Sequence, residues 1–166
     1  MSKPKVKEID IIADDIDPQE KAHLKVQKGA RGIVLKEQDV LLLYYEHKDF
    51  YTLPGGGIQT GETPLEALKR EVLEETGYTV LDASPTLVLN ETFADSRWQH
   101  HFFKCEIAAQ KGSITLTPEE KAFGLTVVFK PLKEALELLS FHEPKTYHPH
   151  LDHIQKRELL GLIHSL

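Results

Sequence analysis

The sequence is poor in cysteine and has no long apolar run. Cys105 is the only cysteine among 166 residues, which excludes a disulfide within the chain and is typical of proteins from a reducing compartment. The N-terminal stretch contains no apolar signal core, and no segment has the length of a membrane-spanning helix. We therefore expect a cytoplasmic protein that does not bind membranes, with Cys105 as a small core residue.

Positive charge is also scarce in this sequence. It has 20 Lys and Arg residues against 26 Asp and Glu residues, a net charge of −6. This balance argues against a broad basic surface and so against binding of duplex nucleic acid. A local basic pocket for a phosphorylated small molecule remains compatible with it. Monomer and homodimer are both compatible with the sequence.

The length of the chain predicts one domain with a substantial core. We predict that residues 1–28 form a loose lead-in with one short strand in Lys5–Ile12, and that residues 29–166 form the domain. Runs of apolar and β-branched residues predict further strands. These are Ala30–Leu35 and Val40–Tyr45 as a hairpin, Tyr51–Leu53, Thr79–Glu91, Arg97–Ile107 and Leu125–Lys130.

The C-terminal half of the chain also contains helical patterns. Pro131–Leu139 and Asp152–His164 have the apolar spacing of amphipathic helices. Gly112–Thr117 is compatible with a strand or a loop, and Pro118–Lys121 with an exposed segment. This order of elements predicts one mixed sheet between helices.

The clearest local signals surround a helix that begins after Thr63. Thr63 is a favourable N-cap, Pro64 suits the first helical position, and Glu66 completes a Thr-x-x-Glu capping box. Gly77 is a favourable C-cap residue, which ends the helix. The sequence therefore predicts a helix of about three turns that packs its apolar stripe on the core.

Three glutamates cluster on this helix, next to its apolar stripe. Glu71 lies three and four residues before Glu74 and Glu75, so the three carboxylates converge. Like charges at this spacing repel one another, and a hard divalent cation with oxygen ligands would compensate them. A solvated glutamate-rich face is the alternative interpretation.

Other features have two interpretations each. The successive glycines Gly55–Gly57 predict a loop whose backbone comes close to a ligand or metal, or simply a flexible turn. Arg31 could contact a substrate phosphate or extend from a sheet edge to solvent. Trp98 could stack on a base, or it could be a core or half-buried packing residue. The histidines from His142 to His153 suggest an exposed polar loop more than a zinc site.

The glycines and the glutamates belong to one pattern. Its members are Gly56, Glu62, Arg70, Glu71, Val72, Glu74, Glu75, Gly77 and Tyr78. In type and spacing the segment Gly56–Tyr78 resembles the Nudix box of the Nudix hydrolase family. The resemblance implies an α/β Nudix fold, with a mixed β-sheet in an α/β/α sandwich.

The same resemblance implies an enzyme that hydrolyses a phosphoanhydride bond in a nucleoside diphosphate linked to another group, using Mg²⁺ or Mn²⁺. It implies that Glu71, Glu74, Glu75 and the Gly56 carbonyl bind the metal. Arg70 would orient the glutamates and Glu62 would support them. The general base is Glu74 or Glu75, with Glu119 and Glu120 as alternatives. Arg31, Gly55 and Gly57 are the predicted substrate-binding residues.

The substrate is less well determined than the reaction. Phe93–Ser96 carries neither the proline nor the tyrosine that marks two subfamilies in the corresponding window, so a nucleoside triphosphate or a nucleotide sugar is left by elimination. The alternatives are an ADP-ribose pyrophosphatase, or a nucleotide-binding regulatory protein with the same fold and no catalysis. A Nudix-fold isomerase acting on a prenyl diphosphate and a simple acidic metal-binding domain also remain open.

Overall fold

The structure is a computed structural model that describes residues 6–145 and 150–166. Within them the chain forms eight strands and four helices. The strands are β1 (Lys7–Ile12), β2 (Val26–Lys36), β3 (Asp39–Tyr45), β4 (Phe50–Thr52), β5 (Gly55–Gly57), β6 (Tyr78–Thr92), β7 (Arg97–Lys111) and β8 (Leu125–Pro131). The helices are α1 (Pro64–Thr76), α2 (Pro118–Ala122), α3 (Leu132–Ser140) and α4 (Leu151–Ile163).

The strands form one mixed sheet in the order β1-β6-β7-β2-β3-β4, with β5 paired to β2 and β8 paired to β3. β1 runs parallel to β6, and β2 runs parallel to β7. The other pairs are antiparallel, including the β2–β3 hairpin and the long β6–β7 pair. Both of these pairs were predicted from the sequence and are confirmed. In the N-terminal stretch, β1 lies at the edge of the sheet beside β6.

Helices cover both faces of the sheet. On one face α1 packs its buried Leu68 and Val72 against Val34 and Phe103 of the sheet. On the other face, Leu139 of α3 and Leu162 of α4 pack with Phe102 and its neighbours in a second core cluster. The predicted α/β/α arrangement with a mixed sheet is therefore confirmed.

The glycine segment differs from its prediction. Gly55–Gly57 is not a loop but strand β5, which pairs antiparallel with β2 so that Gly56 lies opposite Ala30. Glycine is required here by space, since a Cβ on Gly55 would lie 2.2 Å from the Ala30 carbonyl oxygen. Gly55 also has a φ of +151°, which side chains rarely adopt. The sequence-based prediction missed this strand because three glycines have no strand propensity of their own.

The segment between β7 and β8 also contains a helix that was not predicted. Pro118–Lys121 was interpreted as an exposed segment, and it begins the short helix α2, whose N-cap Thr117 forms a capping box with Glu120. None of its residues is buried, so the exposure was correct and the helix was missed. Five residues are too few to show a periodic pattern.

Candidate functional site

The glutamates of α1 are organised by one arginine. Arg70 donates from Nε to Glu62 Oε2 at 2.7 Å and from Nη2 to Glu62 Oε1 at 3.0 Å. Its Nη1 group lies 2.8 Å from Glu71 Oε1 and 3.4 Å from Glu74 Oε2. Nη2 also donates to the Gly57 carbonyl. One guanidinium therefore connects α1, the segment before it and strand β5.

These contacts keep the carboxylate of Glu62 ionised and oriented as a hydrogen-bond acceptor. Besides Arg70, the backbone N–H of Gln59 donates to Glu62 Oε1 at 3.0 Å. The hydrogen bonds from Arg70, followed by the bond from Gln59, lower the pKa of Glu62 to about 2. Glu62 is thus ionised at neutral pH and keeps Arg70 in place.

The three glutamates that the sequence predicts as metal ligands have very different environments. Glu75 is only 1% exposed, whereas the side chain of Glu74 is 39% exposed. Burial raises the pKa of Glu75 well above its usual value, and the neighbouring charge of Glu71 raises it further. Burial also raises the pKa of Glu71, an effect that Arg70 opposes. The cluster therefore holds more negative charge than the protein around it compensates.

Strand β5 approaches these carboxylates closely. The Gly55 N–H donates to Glu75 Oε1 at 2.9 Å. A Cβ on Gly56 would lie 2.6 Å from Glu71 Oε1, so only glycine leaves room for this carboxylate. The backbone of β5 and the carboxylates of α1 thus share one small volume.

The donors at this place suit a hard divalent cation. They are carboxylate oxygens, which Mg²⁺ and similar ions prefer. Within residues 6–145 and 150–166, no three His, Cys, Asp or Glu side chains are already arranged around a common metal position. Glu71 and Glu74 instead contact Arg70, and Glu75 accepts from the Gly55 N–H. Metal binding would exchange part of these contacts.

A large cavity opens beside β5, next to the box. Its volume is about 910 Å³, which is enough for a nucleotide-sized ligand. Gly56 and Gly57 form part of its wall, together with side chains from the sheet and from α4. Arg31, one of the predicted substrate-binding residues, lines it as well. Gly55 supports the wall through its pairing with Arg31.

Arg31 belongs to a buried charge network at the base of this cavity. Its Nη1 lies 3.3 Å from Oε1 of Glu158, a completely buried residue of α4, and also donates to the Leu53 carbonyl. Arg157 binds the same Glu158 oxygen, with Nη2 at 2.6 Å. Although burial opposes it, Arg31 and then Arg157 lower the pKa of Glu158. Arg31 thus points into the protein, and its buried Nε has no hydrogen-bond partner among residues 6–145 and 150–166.

The far wall of the cavity carries a second buried pair. His100 Nε2 lies 3.0 Å from Glu91 Oε1, and the two residues are 3% and 4% exposed. Burial lowers the pKa of His100 to about 2, and the charges of Arg157 and Arg31 act in the same direction. The Trp98 ring lies parallel to the His100 ring, with centroids 5.5 Å apart. Trp98 is half-buried on the cavity wall, so it is not a core residue.

The remaining predicted residues lie around this site. Glu120 completes the capping box of α2 with Thr117, and its charge raises the pKa of both Glu71 and Glu75, whereas Glu119 is exposed. Among the histidines, His142 contacts Asp49, and His153 packs on a phenylalanine at the cavity. His148 lies outside the described residues.

Local sequence patterns did not reveal four of the residues in and beneath the cavity. Arg157 and Glu158 resemble the polar face of any amphipathic helix. Glu91 and His100 occupy inward positions in strands, and a charged residue at such a position was the one available signal. Only the pairing of β6 with β7 and the position of α4 bring these four side chains together.

Within the described part of the chain, no helix combines the length and apolar character needed to cross a membrane. The NUDIX domain model matches residues 25–154, which include the box and strands β2 to β8.

Individual relatives show the same likeness. The chain is 30% identical to a putative ADP-ribose pyrophosphatase, YjhB, of Bacillus subtilis, over 61% of this chain and 49% of that protein. It is 42% identical to a putative 8-oxo-dGTP diphosphatase of the same organism, over 46% of this chain and 51% of that protein. The chain thus spans about half the length of these curated relatives.

A solved structure agrees with the fold. The crystal structure of a MutT protein from Bacillus halodurans superposes with a TM-score of 0.54 at 30% identity, covering 68% of this chain and 73% of that one. The family model extends over most of the chain and contains the complete motif from Gly56 to Tyr78. The chain therefore belongs to the NUDIX family.

Proposed function

We propose that this protein hydrolyses a phosphoanhydride bond in a nucleoside diphosphate linked to another group, with Mg²⁺ or Mn²⁺ as cofactor, and that residues 29–166 form the domain responsible. The observation that carries the proposal is the cluster of Glu71, Glu74 and Glu75 on one side of β5, with a cavity of about 910 Å³ beside the same strand. A nucleotide in this cavity could place its phosphates at Gly56.

The electrostatics of the cluster support this reaction. A diphosphate is an anion, and three carboxylates alone would repel it. When bound, the divalent cation would supply charge neutralisation at the phosphoryl oxygens and lower the pKa of a water molecule. Glu71, Glu74, Glu75 and the Gly56 carbonyl would hold it, consistent with their hard oxygen donors.

The protein's own residues would position the reacting groups. Arg70 holds Glu62, Glu71 and Glu74 in one network, so we assign it a positioning role and Glu62 the role of fixing Arg70. Glu74 is the most exposed of the three metal-site glutamates, which favours it as the base that takes a proton from water. Glu75 remains an alternative. Glu120, close to the cluster, is a better alternative than the more exposed Glu119.

Arg31 has a more limited role in this proposal. Its guanidinium is bound to Glu158, so we assign it to shaping and charging the cavity near β5. Gly55 and Gly57 would contribute through their backbone, Gly55 by its N–H to Glu75 and Gly57 by its carbonyl to Arg70. The absence of side chains leaves the cavity open at this wall.

A panel of substrates tests the function. Nucleoside triphosphates, nucleotide sugars and ADP-ribose are incubated with the protein and Mg²⁺, then Mn²⁺, and the release of nucleoside monophosphate, pyrophosphate or phosphate is measured. Metal-dependent hydrolysis of one class is expected. ADP-ribose belongs in the panel because one relative is named for it, and oxidised deoxyguanosine triphosphate because another is. Tight nucleotide binding without any release of product would instead favour a regulatory protein.

A further inference from the structure

The floor of the cavity is a row of residues that crosses the sheet. Gly29 of β2 pairs with Gly57 of β5 on one side and with His100 of β7 on the other. In the adjacent row, Trp98 of β7 pairs with Glu91 of β6. These two rows run from β5 across β2 and β7 to Glu91 of β6. Because neighbouring strands are about 4.8 Å apart, the length of this path suits one nucleoside.

Gly29 keeps this floor open. A Cβ at Gly29 would lie 2.9 Å from His100 Nδ1 and 3.5 Å from the Gly56 carbonyl oxygen. A side chain here would therefore cover His100 and interrupt the path from the box to the far wall. Gly29 and the glycines of β5 thus leave the cavity open along the sheet.

His100 has a polar atom without a protein partner. Its Nδ1 is buried and forms no hydrogen bond within the described residues, although the ring lines the cavity. Such atoms are rare in folded proteins, and a ligand is one explanation for them. The unpartnered atom lies on the side of the ring that faces Gly29.

The contact with Glu91 decides which ring nitrogen of His100 carries the hydrogen. Burial raises the pKa of Glu91, and the guanidinium of Arg157 opposes this effect. Because the same guanidinium disfavours an imidazolium, we assign an ionised Glu91 that accepts from Nε2–H of a neutral His100. Nδ1 is then an acceptor. The far wall thus presents two neighbouring acceptors, and Arg157 adds donors.

We propose that Glu91 and His100 select the base of the substrate, and that this base is a 2-amino-6-oxopurine, the class to which guanine belongs. Such a base carries two adjacent donors, N1–H and the 2-amino group, which match the two oxygens of a carboxylate. Its O6 accepts from Arg157, and Trp98 offers an aromatic face. His100 Nδ1 accepts from a sugar hydroxyl or from the 2-amino group. Adenine, cytosine and uracil do not present two adjacent donors on this edge.

This inference rests on the proposed function, and its first test varies one group of the substrate. Hydrolysis of dGTP is compared with that of dITP, which differs only in lacking the 2-amino group, and with that of dATP. We expect kcat/KM to be about tenfold or more higher for dGTP than for dITP, because a site built around a hydrogen-bonded group discriminates against its loss. Equal values for dGTP and dITP would overturn the base assignment.

A variant of Glu91 tests whether this residue is responsible for the preference for dGTP. Glu91→Gln keeps the size of the side chain and replaces one acceptor oxygen by a donor. It should lower kcat/KM for dGTP about tenfold and change kcat/KM for dITP much less, so that the preference for dGTP over dITP disappears. Glu106→Gln, on the exposed face of β7, is the matched control and should keep the wild-type preference. An equal loss of kcat/KM for dGTP and dITP would mean that Glu91 has only a structural role.

A binding experiment separates the two proposals. The wild-type protein is titrated with dGMP and dIMP, which contain no phosphoanhydride bond and need no turnover. Tighter binding of dGMP supports the base assignment even if no substrate is hydrolysed, in which case the proposed reaction alone fails. Hydrolysis of other nucleotides together with equal binding of dGMP and dIMP would overturn the base assignment and leave the reaction intact.

Discussion

At the scale of single residues, the carboxylates of α1 differ by the face of the helix that they occupy. Glu74 and Glu75 lie with Glu71 toward β5, whereas Glu66 bonds to the backbone of the N-cap Thr63. All four are glutamates on one helix. Their different surroundings allow catalysis to be separated from folding.

We predict that Glu74→Gln and Glu75→Gln each lower kcat by about a hundredfold or more, because each removes a charge that would hold the cation. Both variants should fold, since glutamine keeps the shape of the side chain. Turnover with Mg²⁺ and melting without metal measure the two effects. Glu66→Gln is the control, and its kcat should stay within a few-fold of wild type. If it were as damaging, the metal-site assignment would be wrong.

A second prediction at this scale concerns two neighbouring glycines. Gly56→Ala places a methyl group against the Glu71 carboxylate, which can move because it is the end of a flexible side chain. We therefore expect a folded protein whose kcat is lowered about tenfold or more by the displaced carboxylate. Gly57→Ala is matched to it, since its Cβ would meet no atom within 4 Å. Similar activities of the two variants would contradict a role for this close contact.

At the scale of elements, α1 is positioned by its ends. Thr63 accepts from the Glu66 N–H at 3.1 Å, and Gly77 ends the helix in a left-handed conformation with a φ of 78°. These caps determine the rotation and length of the helix, and so where Glu71 and Glu75 lie relative to β5.

We predict that Thr63→Ala lowers the free energy of unfolding by about 1 kcal/mol, because the helix loses a cap hydrogen bond. Thr117→Ala removes the same cap from α2, which buries no residue, and should cost less. Urea denaturation of both variants measures the difference. An unchanged stability of Thr63→Ala would show that the cap does not support α1.

At the scale of the whole molecule, the fold places acidic groups that repel one another beside a buried core. Burial raises the pKa of both Glu75 and Glu71, so keeping these carboxylates ionised costs free energy of folding. An ion that binds only the folded chain relieves this cost and stabilises the fold.

We predict that Mg²⁺ or Mn²⁺ raises the melting temperature, with a stabilisation of about 2.7 kcal/mol at a hundredfold excess over Kd. Thermal melting in EDTA and in millimolar Mn²⁺ measures the effect. Glu75→Gln should weaken the response, and Glu66→Gln should retain it. Identical melting of the wild type in both solutions would count against a metal site.

The sequence by itself determined the helix and the family. Thr63, Glu66 and Gly77 act within one or two turns, and the spacing from Gly56 to Tyr78 is a property of the chain alone, so neither depends on distant residues. Patterns of the same local kind predicted the β2–β3 and β6–β7 pairs. Gly55–Gly57 was different, because its strand conformation comes from pairing with β2.

Only the tertiary structure decided which residues surround the cavity beside β5. Arg31 was a candidate for binding phosphate, and its ion pair with Glu158 became visible only when α4, more than a hundred residues later, was placed against the sheet. Glu91 and His100 meet through the register of two long strands. Contacts between residues far apart in sequence leave no local periodicity, so the cavity and its charges could be found only in the folded chain.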